Sequence, residues 1–258
     1  MVDDLGAAHR FSQLPAQEQV HYRAVAQQMV RLAQHCAVPI IFAPPLRIGG
    51  KLNGATGCVL QLGSVSFVVT ASHVLREYQD RLRLGEVLNW QVGALPPFDP
   101  LPRVAWRDEN RDIVFLRVTE EEAKATGGVS SCVVSPSTGW PPRAPEVGQI
   151  VLVSGYPKAL REVDASGWIG AGPYSGMFRV TRTGDGYFYC QIEQKDLISF
   201  DGGPLPAPGS DVGGVSGGPA LLVGTIVYPL VGVVTEHSRH FDLLRIATLD
   251  SVDEKELR

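Results

Sequence analysis

Apolar residues follow two different patterns along this chain. From Pro15 to Cys36 they recur every three or four residues, which is the spacing of a helix with one apolar face. The residues of that face are Val20, Ala24, Val25, Met29, Leu32, Ala33 and Cys36. From residue 39 onward the apolar residues form short runs separated by glycine, proline and serine, as in strands joined by turns. The pattern predicts a helical segment over residues 1–38, followed by an all-β fold.

The runs that resemble strands are short and numerous. They are rich in β-branched and aromatic residues, and the turn Gly63-Ser64 between two of them predicts a hairpin. The predicted strands are Ile40–Ile48, Gly57–Leu62, Val65–Thr70, Leu82–Leu88, Val104–Trp106, Asp112–Val118, Ile150–Ser154, Met177–Thr181, Tyr187–Ile192, Ala220–Val223 and Tyr228–Thr235. With 28 glycines and 19 prolines among 258 residues, turns are also more frequent than in an average protein. This composition favours many short strands over a helical bundle.

Charge and cysteine spacing exclude several classes of function. A formal net charge of -4 provides no electrostatic footprint for nucleic acid or an anionic membrane surface. The sequence contains neither a secretory signal pattern nor an apolar run long enough to span a bilayer, so we expect a cytoplasmic protein. The four cysteines stand singly and far apart, which predicts buried thiols and neither a disulfide framework nor a metal site. No cofactor is expected.

Three residues with unusual surroundings carry the candidate chemistry. Ser216 lies in the glycine-rich segment 213–219, where a tight turn can present one side chain beside bare amide groups. His73 follows the apolar run Val65–Thr70, where a predicted strand ends. Asp112 stands directly before another apolar run, where a carboxylate needs a charged or hydrogen-bonding partner. Together they supply a nucleophile, a general base and an orienting carboxylate, and the amides of Gly214 and Ser216 can stabilise an oxyanion.

On these residues the chain resembles the chymotrypsin-like (trypsin-like) serine peptidase family, in particular its bacterial stand-alone members. The matching stretches are Thr70-Ala71-Ser72-His73, Asp112-Ile113-Val114-Phe115-Leu116 and Gly214-Val215-Ser216-Gly217-Gly218-Pro219, in the order that the family uses. The resemblance implies two packed antiparallel β-barrels, with residues 39–134 carrying His73 and Asp112. Residues 135–258 would carry Ser216 and the oxyanion hole. It also implies a serine endopeptidase acting on a protein or peptide substrate.

Other features that the resemblance implies concern specificity and activation. Ser210 would lie at the base of the primary substrate pocket, and Thr235, Glu236 and His237 would lie along its wall. Val215 replaces the acidic residue or asparagine that often precedes the nucleophile, so activation through a new N-terminal ammonium is not expected. Regulation is instead expected through a protein partner or substrate that orders the loop from Asp201 to Gly214.

Two other interpretations compete with this one. The pattern around Ser216 also matches the nucleophile turn of α/β-hydrolases, but that fold places a helix after the serine and its acid before its histidine. Here Gly217-Gly218-Pro219 follows the serine, and Asp242 comes after His237 and His240. The second alternative is a peptidase-like binding or scaffold module without turnover. It stays open at the level of sequence, because Val215 departs from the usual pattern.

Overall fold

The fold is described by a computed structural model. It covers residues 15–44, 53–127, 139–158, 161–163, 169–171, 173–192, 197–198, 213–224, 228–238 and 242–257. Strands dominate these residues, in agreement with the predicted all-β class. No helix within them is long and apolar enough to cross a membrane. The predicted domain boundary at residues 134 and 135, and the predicted strand beyond residue 44, lie outside the described residues.

The first sheet has six antiparallel strands in the order β4-β1-β2-β3-β6-β5. Their bounds are β1 Ala37–Ala43, β2 Asn53–Leu62, β3 Val65–Ala71, β4 Asn89–Val92, β5 Val104–Asp108 and β6 Ile113–Val118. The predicted hairpin joins β2 to β3, and Gly63 at its turn has a φ of 58°. Aromatic packing fills the interior, where the Phe42 and Trp90 rings stack with their centroids 5.5 Å apart.

A helix, α2 (Ser72–Arg83), directly follows β3. It occupies the start of the stretch Leu82–Leu88, for which a strand was predicted, and that prediction is wrong. Val74, Leu75 and Tyr78 are buried on one side of α2, whereas its other positions are mostly polar. The helical spacing of apolar residues continues from Val74 to Leu82, so Leu82 and Arg83 belong to the helix. Residues 84–88 form no strand.

The remaining strands form a seven-stranded second sheet and a separate two-stranded sheet, and six strands of the second sheet form a closed barrel. Their bounds are β7 Ile150–Gly155, β8 Arg161–Val163, β9 Ile169–Ala171, β10 Tyr174–Gly184, β11 Tyr187–Gln191, β12 Leu197–Ile198, β13 Pro219–Leu222, β14 Leu230–Ser238 and β15 Leu243–Thr248. The order β11-β15-β14-β13-β7-β10 closes because β10 also pairs with β11. β12 adds to the edge of β10, and β8 pairs with β9 alone. β15, which sequence reasoning missed, is required for closure because it joins β14 to β11.

The N-terminal helix α1 (Ala16–Cys36) packs mainly through its last turns. Ala33 and Cys36 are buried, whereas Val20 is 66% exposed, so the predicted apolar face is not buried along its whole length. The buried end enters an apolar cluster shared by both sheets. The cluster includes Leu60, Phe67, Phe115, Leu152, Leu221, Leu230 and Val233. The helix therefore helps to join the two sheets.

The C-terminal end makes a second connection between the sheets. Helix α4 (Glu254–Leu257) follows β15 and returns to the first sheet. Trp106 Nε1 donates to Glu256 Oε2 at 3.0 Å, and an Arg117 guanidinium nitrogen donates to the carbonyl of Leu257 at 2.9 Å. Between the sheets in sequence lies helix α3 (Glu120–Ala125), whose first turn is capped by Thr119. A short 3₁₀ helix over Leu101–Arg103 precedes β5.

The cysteines differ from the prediction in one respect. Cys58 and Cys190 are buried free thiols, as expected. Cys36, in contrast, is disulfide-bonded, so the prediction of a thiol there is wrong. Cys132 lies outside the described residues.

Candidate active site

His73 and Asp112 meet at one end of the first sheet. β3 and β6 are neighbours, with Ala71 opposite Ile113, so the residues that follow β3 lie beside the residue that precedes β6. His73 Nδ1 lies 2.6 Å from Asp112 Oδ2, and the His73 backbone amide donates to Asp112 Oδ1 at 2.7 Å. An ionised carboxylate only accepts hydrogen bonds, so this contact assigns the imidazole proton to Nδ1. Nε2 is then left with a lone pair that can accept a proton.

The backbone of Asp112 adopts a conformation that residues with a side chain rarely use. Its φ is 61°, in the left-handed region that aspartate tolerates better than most residues. The preceding turn is held by Asp108, whose Oδ1 accepts from the amides of Asn110 at 2.8 Å and Arg111 at 3.0 Å. The Ser72 amide then donates to the Asp112 carbonyl at 2.9 Å. The backbone on both sides therefore aims the carboxylate at His73.

Ser72 is the centre of a polar network next to His73. Its buried hydroxyl accepts a hydrogen bond from Arg107 Nε at 2.7 Å and donates one to Glu109 Oε2 at 3.1 Å. Glu109 also pairs with Arg107 at 2.5 Å and with Arg76 at 2.9 Å. The network joins the first turn of α2 to β5 and to the Asp112 turn. Sequence reasoning assigned this serine no role of its own.

Ser216 lies in a turn whose shape depends on two glycines. Gly214 has a φ of 100° and Gly217 a φ of 88°. Within the described residues, the Gly217 amide donates to the Val234 carbonyl at 2.7 Å, whereas the amides of Gly214, Val215 and Ser216 donate no hydrogen bond. The two amides predicted for an oxyanion hole are thus free to bind a new acceptor.

Thr56 of β2 fastens the Ser216 turn to the first sheet. Its amide donates to the Ser216 carbonyl at 2.9 Å, and its hydroxyl donates to the Gly214 carbonyl at 2.6 Å. Its own carbonyl accepts from the Thr70 hydroxyl at 2.7 Å, and Thr70 precedes His73 by three residues. Thr56 is fully buried. In the sequence, the signal for its role was a polar residue between Ala55 and Gly57 in an otherwise apolar strand.

In the described part of the chain, no hydrogen bond joins the Ser216 hydroxyl to His73. Such contacts are often longer before substrate binds.

Val215 is part of the interior of the second barrel. It is 3% exposed and belongs to an apolar cluster with Val153, Phe178 and Val231. A Cβ added to Gly155 would lie only 2.9 Å from Val215 Cγ1, so the segments that contain Gly155 and Val215 are in close contact. This position is apolar and closely packed.

The residues predicted for the specificity pocket have mixed environments. Ser210 lies outside the described residues. Thr235 is 5% exposed, and its hydroxyl donates to the Arg245 carbonyl at 3.3 Å. Glu236 lies 3.5 Å from an Arg245 guanidinium nitrogen, so its charge is already compensated. The buried His237 side chain has its Nε2 4.0 Å from an oxygen of Asp242.

The strands that pair with β14 differ along its length. Val233 pairs with both Pro219 and Ala247, and Val234 exchanges hydrogen bonds with Gly217 and Gly218. Residues 236–238, in contrast, pair only with β15 among the described residues. The ladder between β14 and β13 therefore ends at Val233, and residues 236–238 lie beyond it.

Neither thiol is suited to be a nucleophile. Burial raises the pKa of both Cys58 and Cys190 to about 12, so each is neutral near pH 7. No group of three metal-ligating side chains occurs in the described ranges.

The candidate site can be compared with known proteins. No family model and no curated protein matches the chain. Among solved structures, the active form of the Rv3671c protease from M. tuberculosis is similar over 85% of this chain and 78% of its own, with 19% identity and a TM-score of 0.40. A thermostable serine protease, AL20, from an extremophilic microorganism is similar over 88% of this chain and 96% of its own, with 13% identity and a TM-score of 0.46. Both similarities are weak.

Proposed function

We propose that the protein is a serine endopeptidase that acts through His73, Asp112 and Ser216. The observation that carries the proposal is the pair of hydrogen bonds between the Asp112 carboxylate and His73, one to Nδ1 and one to the backbone amide. A carboxylate in this position fixes the tautomer and orientation of the imidazole, which are what a general base requires. The Ser216 turn supports the same function because free amides surround the serine.

The proposed reaction proceeds in two steps. Ser216 Oγ attacks the substrate carbonyl carbon while His73 Nε2 takes the hydroxyl proton, and the carbonyl oxygen becomes negative. The amides of Gly214 and Ser216 stabilise that oxygen, and the proton passes from Nε2 to the departing amine as the peptide bond breaks. Water then repeats the sequence on the acyl-enzyme, with His73 as base, and releases the acid product.

We propose that an extended segment of a protein or peptide binds beside β14. The ladder between β14 and β13 ends at Val233, so residues 236–238 lie beyond it. An added strand binds mainly through main-chain hydrogen bonds, which provide affinity without a particular side chain. The ion pair of Glu236 with Arg245 weakens the argument for a basic substrate residue at this position.

We also propose that the site needs no new N-terminal ammonium for activation. The apolar environment of Val215 supports this, because an ammonium placed there would be a buried charge without a partner. Such a charge costs several kcal/mol, roughly 3–5 when one member of a pair is missing.

Labelling with a fluorophosphonate probe tests the proposed function, since the probe reacts only with an activated serine. We expect the intact chain to be labelled, and the variants Ser216→Ala and His73→Ala to be unlabelled although folded. His35→Ala, which removes an exposed histidine of α1, is the matched control and should label normally. A folded wild-type chain without label would instead favour the binding or scaffold module. Labelling that appears only after cleavage near residue 38 would overturn the activation proposal.

A further inference from the structure

A tyrosine of the second barrel contacts the turn that carries Asp112. Tyr187 is the first residue of β11, where it lies opposite Ala247 of β15. Its hydroxyl donates a hydrogen bond to the carbonyl of Asn110, two residues before Asp112. The tyrosine and the carbonyl thus belong to different sheets, and the bond crosses the boundary between them.

The backbone of the turn between β10 and β11 also approaches the Asp112 turn. Gly186, which precedes Tyr187, has a φ of 75°, and a Cβ added to it would lie 3.0 Å from Arg111 Nε. On the other side, the Arg245 guanidinium lies 3.6 Å from the centre of the Tyr187 ring. Arg245 also pairs with Glu236 at 3.5 Å, on the strand proposed to bind substrate. The tyrosine is therefore held between the Asp112 turn and the substrate strand.

The Asp112 turn needs such support because its conformation is intrinsically unfavourable. A left-handed φ costs free energy at any residue with a Cβ, and it persists only where surrounding contacts maintain it. The contacts from Ser72 and Asp108 come from α2 and β5, on the side of the first sheet. The Tyr187 hydroxyl is a contact that depends on how the second barrel is docked.

We infer that Tyr187 is a positioning residue, which holds the Asp112 turn from the second barrel and so links the docking of the two sheets to the His73–Asp112 contact. The inference rests on the proposed function for its effect on reaction rate, but its effect on the His73–Asp112 contact does not require turnover. Burial raises the pKa of the Tyr187 hydroxyl, Arg245 opposes this, and the Asp112 and Asp108 carboxylates raise it further. The hydroxyl therefore remains a donor throughout the neutral range.

The test compares Tyr187→Phe with Tyr189→Phe. Tyr189 lies on the same strand beneath the Arg182 guanidinium, 4.0 Å from the ring centre, but its hydroxyl makes no hydrogen bond in the described part of the chain. Each variant thus loses one hydroxyl and keeps its aromatic ring. Two quantities are measured. The first is the exchange rate of the His73 Nδ1 proton, followed at its downfield proton NMR resonance, with His73→Ala to identify that resonance. The second is the rate of fluorophosphonate labelling.

We expect Tyr187→Phe to accelerate exchange of the Nδ1 proton and to lower the labelling rate by about tenfold, which corresponds to the loss of one hydrogen bond. Tyr189→Phe should change neither. If Tyr187→Phe lowers only the melting temperature and leaves the Nδ1 resonance unchanged, the residue is merely structural and the inference is wrong. Equal changes in the two variants would also overturn it. If the wild type is not labelled, the proposed function fails, while the NMR comparison still decides the role of Tyr187.

Discussion

Substitution of Gly217 by alanine should damage both the fold and the site. Gly217 has a φ of 88°, and an added Cβ would lie 1.8 Å from the Thr56 carbonyl oxygen and 2.2 Å from Thr70 Oγ1. Non-bonded atoms prefer roughly 3.5–4.0 Å, so the backbone of the Ser216 turn would have to move away from β2 by more than an ångström. The turn cannot make that movement and keep its present contacts.

The size of the effect follows from the contacts that would be lost. The left-handed conformation alone costs an alanine about 1–2 kcal/mol. Movement of the turn would also strain two backbone hydrogen bonds, Thr56 to Ser216 and Gly217 to Val234, each worth about 1–1.5 kcal/mol. The expected loss in the free energy of unfolding is therefore about 4 kcal/mol. Probe labelling of Ser216 should be lost as well, because Gly217 follows the serine directly.

Gly148→Ala provides the matched control. Gly148 has a φ of 92°, nearly that of Gly217, but nothing lies within 4 Å of an added Cβ. This variant should lose only the conformational contribution, about 1–2 kcal/mol, and keep its labelling. Denaturant unfolding with unchanged m-values provides both free energies. If the two variants differ by less than about 1 kcal/mol, the packing argument at Thr56 is refuted.

Three further outcomes are expected. Asp112→Asn should keep the fold and lower the rate of peptide hydrolysis by roughly 10⁴-fold near neutral pH, as the equivalent change does in a trypsin-type enzyme. A loss below tenfold would show that Asp112 does not belong to the proposed triad. Ser72→Ala should lower the free energy of unfolding by about 1 kcal/mol, because one buried hydrogen-bonding hydroxyl is lost, and an unchanged value would contradict the role of its network. Burial raises the pKa of Cys58 and Cys190 from the ordinary 9.0 to about 12. Above pH 9 the unfolded chain binds fewer protons than the folded one, so the free energy of unfolding falls as the pH rises. Between pH 9 and 10 it should fall by about 1 kcal/mol per thiol, with a smaller fall in Cys190→Ala; a flat urea-unfolding profile over that range would contradict this.

Local chemistry made parts of the fold and the candidate site predictable from sequence. A hairpin turn at Gly63, an apolar run before His73 and a glycine-rich turn around Ser216 each depend on neighbouring residues, so they can be read in the chain. The type and order of the three candidate residues follow in the same way. The proximity of His73 and Asp112 was inferred because a carboxylate beside a buried strand needs a partner, and the 2.6 Å contact agrees with that inference.

Features that depend on distant partners could not be read in this way. The stretch Leu82–Leu88 was mistaken for a strand, because a short apolar run fits either element until the surface that it covers is known. Closure of the second barrel by β15 and the burial of only the end of α1 depend on which other strands are adjacent. The disulfide of Cys36 likewise requires a partner that is remote in sequence.

The contacts that align the candidate residues are also tertiary. Thr56 and Tyr187 are ordinary strand residues in the sequence, and no motif distinguishes them. Their hydrogen bonds to the Ser216 turn and to Asn110 form only when the two sheets dock, because donor and acceptor belong to different halves of the chain. The sequence by itself therefore determined which chemical groups are available, whereas the docking of the two sheets decided where each group lies and what holds it there.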